Sequence, residues 1–386
     1  MRDSTRFPLK LAAKTAILST VNGTTPLPLR EFHQTLGARF TAVNGAEVVA
    51  DFEDAPAEHA TLRESAGVLD LSFRSRICLT GADRVRFLHG QVTNDVKRLQ
   101  PGEGCYAALV TAKGKMESDL NIHCLPDELL LDFEPGLTSA ITARLEKYTV
   151  ADDVQVVDVA PHYGLLSVQG PKSETVVRAP GFFDSLPAKA FQSVKVADPT
   201  LGEIHLMNLP RLGADGFDLF VPTDALGAVM DKLMAAAKQI GGRACGWTAM
   251  ETARIEAGIP RFGLDMDETC IPLECGIEDR AVSYSKGCYI GQEVINRIHS
   301  IGHVNRELCG FQLSGDLQSL PARGERLYQA GKEVGQITSA AASPVLKANI
   351  ALGFVRREIN SPGTELTVGL AGTQGVARIV ALPFVR

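Results

Sequence analysis

The densest group of chemically capable residues is Lys286-Gly-Cys-Tyr-Ile-Gly-Gln-Glu293. Gly287 and Gly291 frame Cys288, Tyr289 and Ile290. Glycine permits positive φ and a close backbone approach, so a tight, shaped turn is expected here rather than a strand interior. Lys286 stands two residues before Cys288 and would lower the thiol pKa if the side chains converge. Glu293 would act the other way, and Gln292 offers both donor and acceptor. Cys288 is thus a candidate functional thiol. The alternative is a structural turn carrying an inert thiol.

Other candidates are weaker in pattern. Ala112-Lys-Gly-Lys115 links two expected strands, but the full phosphate-loop pattern is missing. Asp119 should begin the strand that follows, with its carboxylate near a ligand pocket. Arg254, in Arg254-Ile-Glu-Ala-Gly258, closes an expected helix starting near Trp247. There it would favour the helix dipole or pair with a ligand carboxylate. His299 and His303 are four apart, but Gly302 argues against a shared helix face, and the sequence lacks a zinc-protease glutamate.

The eight cysteines form no Cys-x-x-Cys pair, so no metal site is expected. The 39 basic and 45 acidic residues give a formal charge of −6, which disfavours nucleic acid as a partner. No apolar run reaches ~20 residues, so no membrane span is expected. The opening MRDSTRFPLKLAAKT lacks an apolar leader, which makes a cytoplasmic location and reduced thiols the expectation.

Elements must position these residues. Residues 22–32 read as an extended lead-in, and regular structure is expected from Ser75. A strand at 76–80 leads through Gly81 to a helix capped by Asp83. Strands at 106–111, 119–124 and 129–133 and a helix at 137–148 follow. The order then recurs: a strand at 165–169, a helix near Pro171, strands at 204–208 and 217–221, and a helix capped by Asp224 and stopped at Gly241-Gly242. Two related α+β units by duplication are the expectation. After Asn305 only short strands remain, at 308–313, 326–329, 334–339, 350–355, 366–370 and 376–382. They read as a small antiparallel barrel or sandwich.

Residues 286–293 resemble the signature of the YgfZ-type folate-binding proteins linked to iron–sulfur cluster assembly and repair. Gly67-Val-Leu-Asp-Leu71, Val92-Thr-Asn-Asp95, Arg254-Ile-Glu-Ala-Gly258 and Ile271-Pro-Leu-Glu274 resemble segments of the glycine-cleavage aminomethyltransferases, in the same superfamily. The resemblance implies a cloverleaf. Two interleaved, duplicated α+β domains, related to the ferredoxin-like fold, would occupy residues 1–305 and form the folate-binding region. A C-terminal antiparallel β-barrel would occupy 306–386, and a folate channel would run through the centre. It also implies tetrahydrofolate, or a one-carbon derivative, as cofactor. Tyr106 would contact the pterin, Asp119 would accept from its N–H groups, Arg254 would hold the glutamate tail, and Cys288 would face this region as the redox or one-carbon-reactive group.

The departures point away from ordinary aminomethyl transfer. Where the transferases carry two adjacent aspartates, this chain has Ser118 and Asp119. Ala214 replaces a glutamate in Gly213-Ala-Asp-Gly216, and Cys288 replaces an acidic residue. The leading expectation is a tetrahydrofolate-binding accessory protein for iron–sulfur assembly or repair, with assembly components or client iron–sulfur proteins as partners. The alternative is a folate-dependent aminomethyl- or methyltransferase with Asp119 as its catalytic carboxylate.

Overall fold

A computed structural model describes residues 24–385, apart from 315, 316, 318, 371 and 372. The opening fifteen residues read above for a leader lie outside the described residues.

Strand periodicity places the first candidate carboxylate. In Met116–Cys124 alternate side chains turn to opposite faces. Met116, Ser118, Leu120 and Ile122 are buried on one face, while Glu117, Asp119 and Asn121 share the other. Asp119 therefore sits inside this strand, not at its start as the spacing suggested. Its partner strand Glu103–Val110 shifts register between Leu109 and Val110, close to Asp119.

This pair belongs to a five-stranded antiparallel sheet. Its spatial order is Glu103–Val110, Met116–Cys124, Leu129–Phe133, Ser75–Thr80 and Gln155–Asp158. A second sheet has six strands: Ser193–Asp198, Gly202–Asn208, Gly216–Pro222, Tyr163–Gln169, Gly67–Asp70 and Arg243–Ala244. The first four strands of each follow the same order in space and in chain, so the repeat read from the sequence is a repeat of topology. Gly67–Asp70 crosses between halves: it precedes the first sheet in the chain yet pairs with Tyr163–Gln169 in the second.

Three apolar layers follow from this arrangement. Leu88 and Leu145 pack on Leu109, Leu120 and Leu131 outside the first sheet. Val229, Met230 and Leu233, from the helix Leu226–Gln239, cover Leu206 and Leu219 of the second. Leu69, Leu130, Leu165, Met207 and Phe220 meet between the sheets. Each such fully buried side chain contributes ~1.5–3 kcal/mol. Beyond them a closed six-stranded barrel runs Arg306–Leu313, Ala348–Arg356, Lys332–Ser343, Arg326–Gln329, Glu365–Leu370 and Thr373–Val380. Closure leaves the barrel no free edge. The fold class is therefore α+β with a C-terminal antiparallel barrel.

Several local expectations need correction. Regular structure starts well before Ser75, with the helix Arg30–Thr35, the ribbon Arg39–Val43 and Ala46–Asp51, and the helix Ala55–Glu64. The short first helix overlaps the end of the expected lead-in and is anchored just beyond it, where His33 makes a buried contact to Asp70 at 2.8 Å. Asp83 and Asp224 do not cap their helices. Asp83 instead accepts from Arg86 and from the Asp153 amide. Gly302 ends a helix, Gln292–Ile301, that includes His299. His299 bonds Glu278 at 2.7 Å and stacks on Tyr284, while His303 lies past the helix end. Among the described residues no helix is long and apolar enough to cross a membrane.

An ion network ties the two sheets together. Asp132, on Leu129–Phe133, is fully buried. It accepts from Arg74 at 2.7 Å and from Arg211, beside the second sheet, at 2.6 Å. Arg211 also donates to Asp218 of that sheet at 2.8 Å. Burial opposes ionisation of Asp132, but the guanidiniums of Arg211 and Arg74 outweigh it and hold the carboxyl well below the usual carboxylate range. Asp132→Leu would leave buried Arg74 with Glu134 alone and buried Arg211 with Asp218 alone, and we expect it to lower stability in urea unfolding by ~3–5 kcal/mol. A loss below ~1 kcal/mol would contradict that. Since the folded-state value is depressed, this contribution is full above the unfolded carboxyl value of ~3.9 and fades as pH falls through the folded value.

Candidate functional site

The site begins with a tyrosine and an aspartate on neighbouring strands. Tyr106 Oη donates to Asp119 Oδ2 at 2.8 Å. The guanidinium of Arg280 lies 4.6 Å from the Tyr106 ring centre. Asn94 Nδ2 donates to the carbonyls of both Tyr106 and Arg280, fixing their relation. Burial raises the Tyr106 hydroxyl well above its ordinary value, and the Asp119 charge adds to this. Burial also raises the Asp119 carboxyl, with the Glu134 carboxylate as the next cause.

Three sealed polar atoms in this region lack a hydrogen-bond partner: Asp119 Oδ1, Glu134 Oε2 and Arg261 Nε. Glu134 holds Arg74 through its other oxygen at 2.6 Å. Its Oε2 stands 3.6 Å from Arg261 Nε. Arg261 lies over Trp247, 4.4 Å from the ring, and donates to Glu251 at 2.7 Å. Buried polar groups are normally satisfied, so three orphans together suit a polar ligand edge. They have the chemistry a pterin needs: carboxylate oxygens for its N–H groups and a donor for its carbonyl.

Arg254 behaves differently from what the resemblance implies. It is 3% exposed. Its five N–H groups go to Glu251 twice, the Ile259 carbonyl, Asp265 and Ser339. The guanidinium thus binds its helix, Trp247–Glu256, to the barrel strand carrying Ser339. It keeps no donor for an anionic tail.

The 286–293 segment is a turn, as its glycines suggest, leading into the helix Gln292–Ile301. Lys286 does not point at Cys288 as a free charge. Its Nζ is buried and donates to the carbonyls of His89, Val92 and Asn94 at 2.6, 2.6 and 2.8 Å. Burial lowers its pKa to about 8. Tyr289 packs in the same apolar cluster as Tyr106 and Phe354, so the turn, the first sheet and the barrel meet there. Cys288 and Glu293 are exposed, and Gln292 reaches the Gly287 carbonyl at 3.5 Å.

The structure thus joins Tyr106 to Asp119 directly, links both to the turn through Tyr289 and Asn94, and gives Arg254 a separate task. Sequence reasoning missed Arg74, Glu134, Arg261 and Arg280. One signal was available: Asp132 and Glu134 interrupt or end an otherwise apolar strand, Leu129–Phe133. A carboxylate there needs a buried partner.

Two family models match this chain. The GCVT N-terminal domain covers residues 29–286, and the glycine cleavage T-protein C-terminal barrel domain covers 306–386. The chain belongs to the glycine cleavage T-protein family. Among its relatives, the aminomethyltransferase of Cupriavidus necator is 30% identical over 373 residues, covering 93% of this chain and 96% of that protein. That of Halalkalibacterium halodurans is 28% identical over 358 residues, covering 92% and 97%. The solved glycine cleavage system aminomethyltransferase T from Bartonella henselae shares the fold, with a TM-score of 0.83 and 24% identity, over 94% of this chain and 98% of that one. The resemblance to the aminomethyltransferase superfamily is thereby established. Residues 287–305, which hold most of the signature turn, fall between the two family matches.

The two glycines of the turn differ in what they allow. Gly291 has φ +87°, and a Cβ there would stand 2.5 Å from the Thr111 carbonyl oxygen. Gly287 has no such φ, and its nearest neighbour would be 3.7 Å away. We expect Gly291→Ala to cost at least ~1–3 kcal/mol in thermal or chemical unfolding. Gly287→Ala should stay within ~0.5 kcal/mol. Equal effects would contradict this reading of the turn.

Proposed function

We propose that this chain binds tetrahydrofolate or a one-carbon derivative against Tyr106, Asp119 and Glu134, and that it works in folate-dependent aminomethyl or methyl transfer. The observation that carries the proposal is the group of orphaned atoms, Asp119 Oδ1, Glu134 Oε2 and Arg261 Nε. Asp119 Oδ1 is unpaired, and Glu134 Oε2 and Arg261 Nε face each other at 3.6 Å without a hydrogen bond, so a ligand edge that hydrogen-bonds them gains affinity beyond its apolar contact. The Tyr106 ring offers an apolar face for a fused heterocycle. The binding region lies within residues 1–305, and the 306–386 barrel braces it through Arg254 and Phe354.

Bound tetrahydrofolate supplies nitrogens that accept or release the one-carbon unit. The chain supplies the proton handling. Asp119, with its carboxyl raised by burial and by Glu134, is suited to take and return a proton. Tyr106 orients it through Oδ2 and leaves Oδ1 for the ligand. The names of the relatives support the transfer half of this reading.

A second reading has its own observation. The segment 286–293 presents Cys288 as an exposed thiol on a turn that Lys286 pins by three hydrogen bonds. With Ser118 and Ala214 in place of carboxylates that the transferases carry, this supports a folate-binding role in iron–sulfur cluster assembly or repair. The partners would then be assembly components or client iron–sulfur proteins.

Saturating tetrahydrofolate should raise the melting temperature, because a ligand that binds only the native state stabilises it by ~2.7 kcal/mol at a hundredfold excess over Kd. Asp119→Asn should weaken that shift, and the absence of any shift in the parent chain would remove the folate proposal. The two uses separate on different variants. Methylene- or methyl-tetrahydrofolate formation from amine donors, lost in Asp119→Asn but kept in Cys288→Ala, favours transfer. Failure of Cys288→Ala to restore iron–sulfur enzyme activity in a deletion strain, with folate binding intact, favours the second reading.

A further inference from the structure

Two buried cysteines share one loop beside the candidate site. Cys270 is 1% exposed and Cys275 is 0% exposed. Both pack in the apolar cluster that holds Tyr106, Tyr289 and Phe354. A single tight turn, Pro272–Cys275, folds the segment back on itself, and Gly276 ends it in the left-handed region at φ +68°. The Cys275 thiol thereby reaches the Ile271 carbonyl, next to Cys270 in the chain, at 3.3 Å. It also lies within hydrogen-bond reach of the Cys270 sulfur. The loop is fixed at both ends. The Met116 amide donates to the Cys270 carbonyl at 2.9 Å, and the Ile271 amide donates to Glu274 Oε2 at 3.1 Å.

The Cys270 sulfur has polar company. Arg306 Nη2 donates to it at 3.4 Å, and the thiol donates to Asp267 Oδ1 at 3.5 Å. Arg306 opens the first barrel strand. It is held in place by the Thr269 carbonyl and hydroxyl at 3.3 and 3.2 Å, and its guanidinium lies 4.6 Å from the Phe354 ring centre. Thr269 is exposed and the Arg306 side chain is 30% exposed, so the sulfur lies just beneath the surface.

Other buried thiols behave differently. Burial pushes Cys78, Cys124, Cys245 and Cys309 up. Cys270 moves down: the Cys275 thiol favours its thiolate first, and the Arg306 charge adds to this, against burial and Asp267. Cys275 is pushed up by Cys270 and by burial, so it keeps its proton. A cysteine that only fills volume is a small hydrophobe and needs neither a cation nor a second thiol at its sulfur.

We propose that Cys270 and Cys275 are a peroxide-reactive thiol pair that closes to an intrachain disulfide, with Arg306 as the positioning residue for the Cys270 thiolate. The thiolate attacks one oxygen of a hydroperoxide. The S–O bond forms as the O–O bond breaks, which leaves a sulfenic acid on Cys270, and the departing oxygen takes up the proton that Cys270 gave up. The Cys275 sulfur then attacks the Cys270 sulfur and loses its proton. The S–S bond forms as the S–O bond breaks, and the released hydroxide takes that proton and leaves as water. The hydroperoxide is the oxidant, and the two thiols supply both electrons. The loop continues through Gly276 into the short helix Glu278–Ala281, whose Arg280 lies over Tyr106. The disulfide therefore forms in the segment that shapes the candidate site, but its formation requires neither folate nor Cys288.

Trypsin separates the two kinds of thiol. It releases Cys270 and Cys275 together in Phe262–Arg280 and Cys288 in Gly287–Arg297. The full chain is treated with hydrogen peroxide, its remaining thiols are alkylated, and the peptides are weighed. At a limiting dose Phe262–Arg280 should lose two hydrogens and take no alkyl group before Gly287–Arg297 is oxidised. Cys275→Ser should halt at a Cys270 sulfenic acid that dimedone captures. Arg306→Gln should slow disulfide formation by about threefold or more, because a cation beside the sulfur favours the thiolate. Arg306→Lys should restore most of the rate. Recovery of Phe262–Arg280 with both cysteines alkylated after Gly287–Arg297 has been oxidised would overturn the proposal, as would a parent rate in Arg306→Gln. Circular dichroism checks that each variant is folded; were Arg306→Gln unfolded, the parent peptides and dimedone capture in Cys275→Ser would decide.

Discussion

The structure turns on one buried carboxylate. Asp132 takes Arg74 from its own half and Arg211 from the other, at 2.7 and 2.6 Å, with no solvent to share the load. A lone charge in that place would be untenable. Two guanidiniums make it stable and at the same time fix how the sheets face each other. Gln169 and Ser167 extend the polar seam: Gln169 Nε2 donates to the Ser167 hydroxyl, which donates to Asp218. The apolar layer between the sheets supplies most of the burial energy, but it would tolerate sliding. The hydrogen-bonded seam does not.

The candidate site is an outgrowth of that seam. Arg74 reaches from Asp132 to Glu134, and Glu134 stands beside Arg261, so one chain of charges leads from the sheet interface to the carboxylate whose charge raises Asp119. Arg254 and Arg261 share Glu251, which continues the chain into the barrel through Ser339. Orphaned atoms at the end of a rigid polar chain are pre-organised for a ligand, because little must reorder when it binds. The turn at 286–293 is attached to the same framework by Lys286 but opens toward solvent. One chain thus carries both a group of sealed polar atoms and an exposed thiol.

What could be read from the sequence follows the range of the forces. Period-two alternation and turn residues are local, so four strands of the first sheet, three of the second and those of the barrel were legible, and the recurring element order already implied duplication; the strands Gln155–Asp158, Ser193–Asp198 and Arg243–Ala244 were not. The sheet that Gly67–Asp70 joins was not, since its partner lies about a hundred residues away at Tyr163–Gln169. The glycines around Cys288 announced a shaped turn. The three carbonyls that capture Lys286 come from residues 89–94 and were invisible, so the lysine looked like a free charge when it is a strut. Arg254 shows the same limit: its place at a helix end was clear, but four partner residues spread from 251 to 339 gave no local sign.

The central claim is that the Asp119–Tyr106 pair and its orphaned neighbours hold the pterin of a tetrahydrofolate. A crystal structure of the chain with a stable reduced folate tests it most directly. The account predicts the pterin edge within about 3 Å of Asp119 and Glu134 oxygens, with its ring facing Tyr106. Ligand density elsewhere, with Asp119 Oδ1 still unpaired, would contradict it.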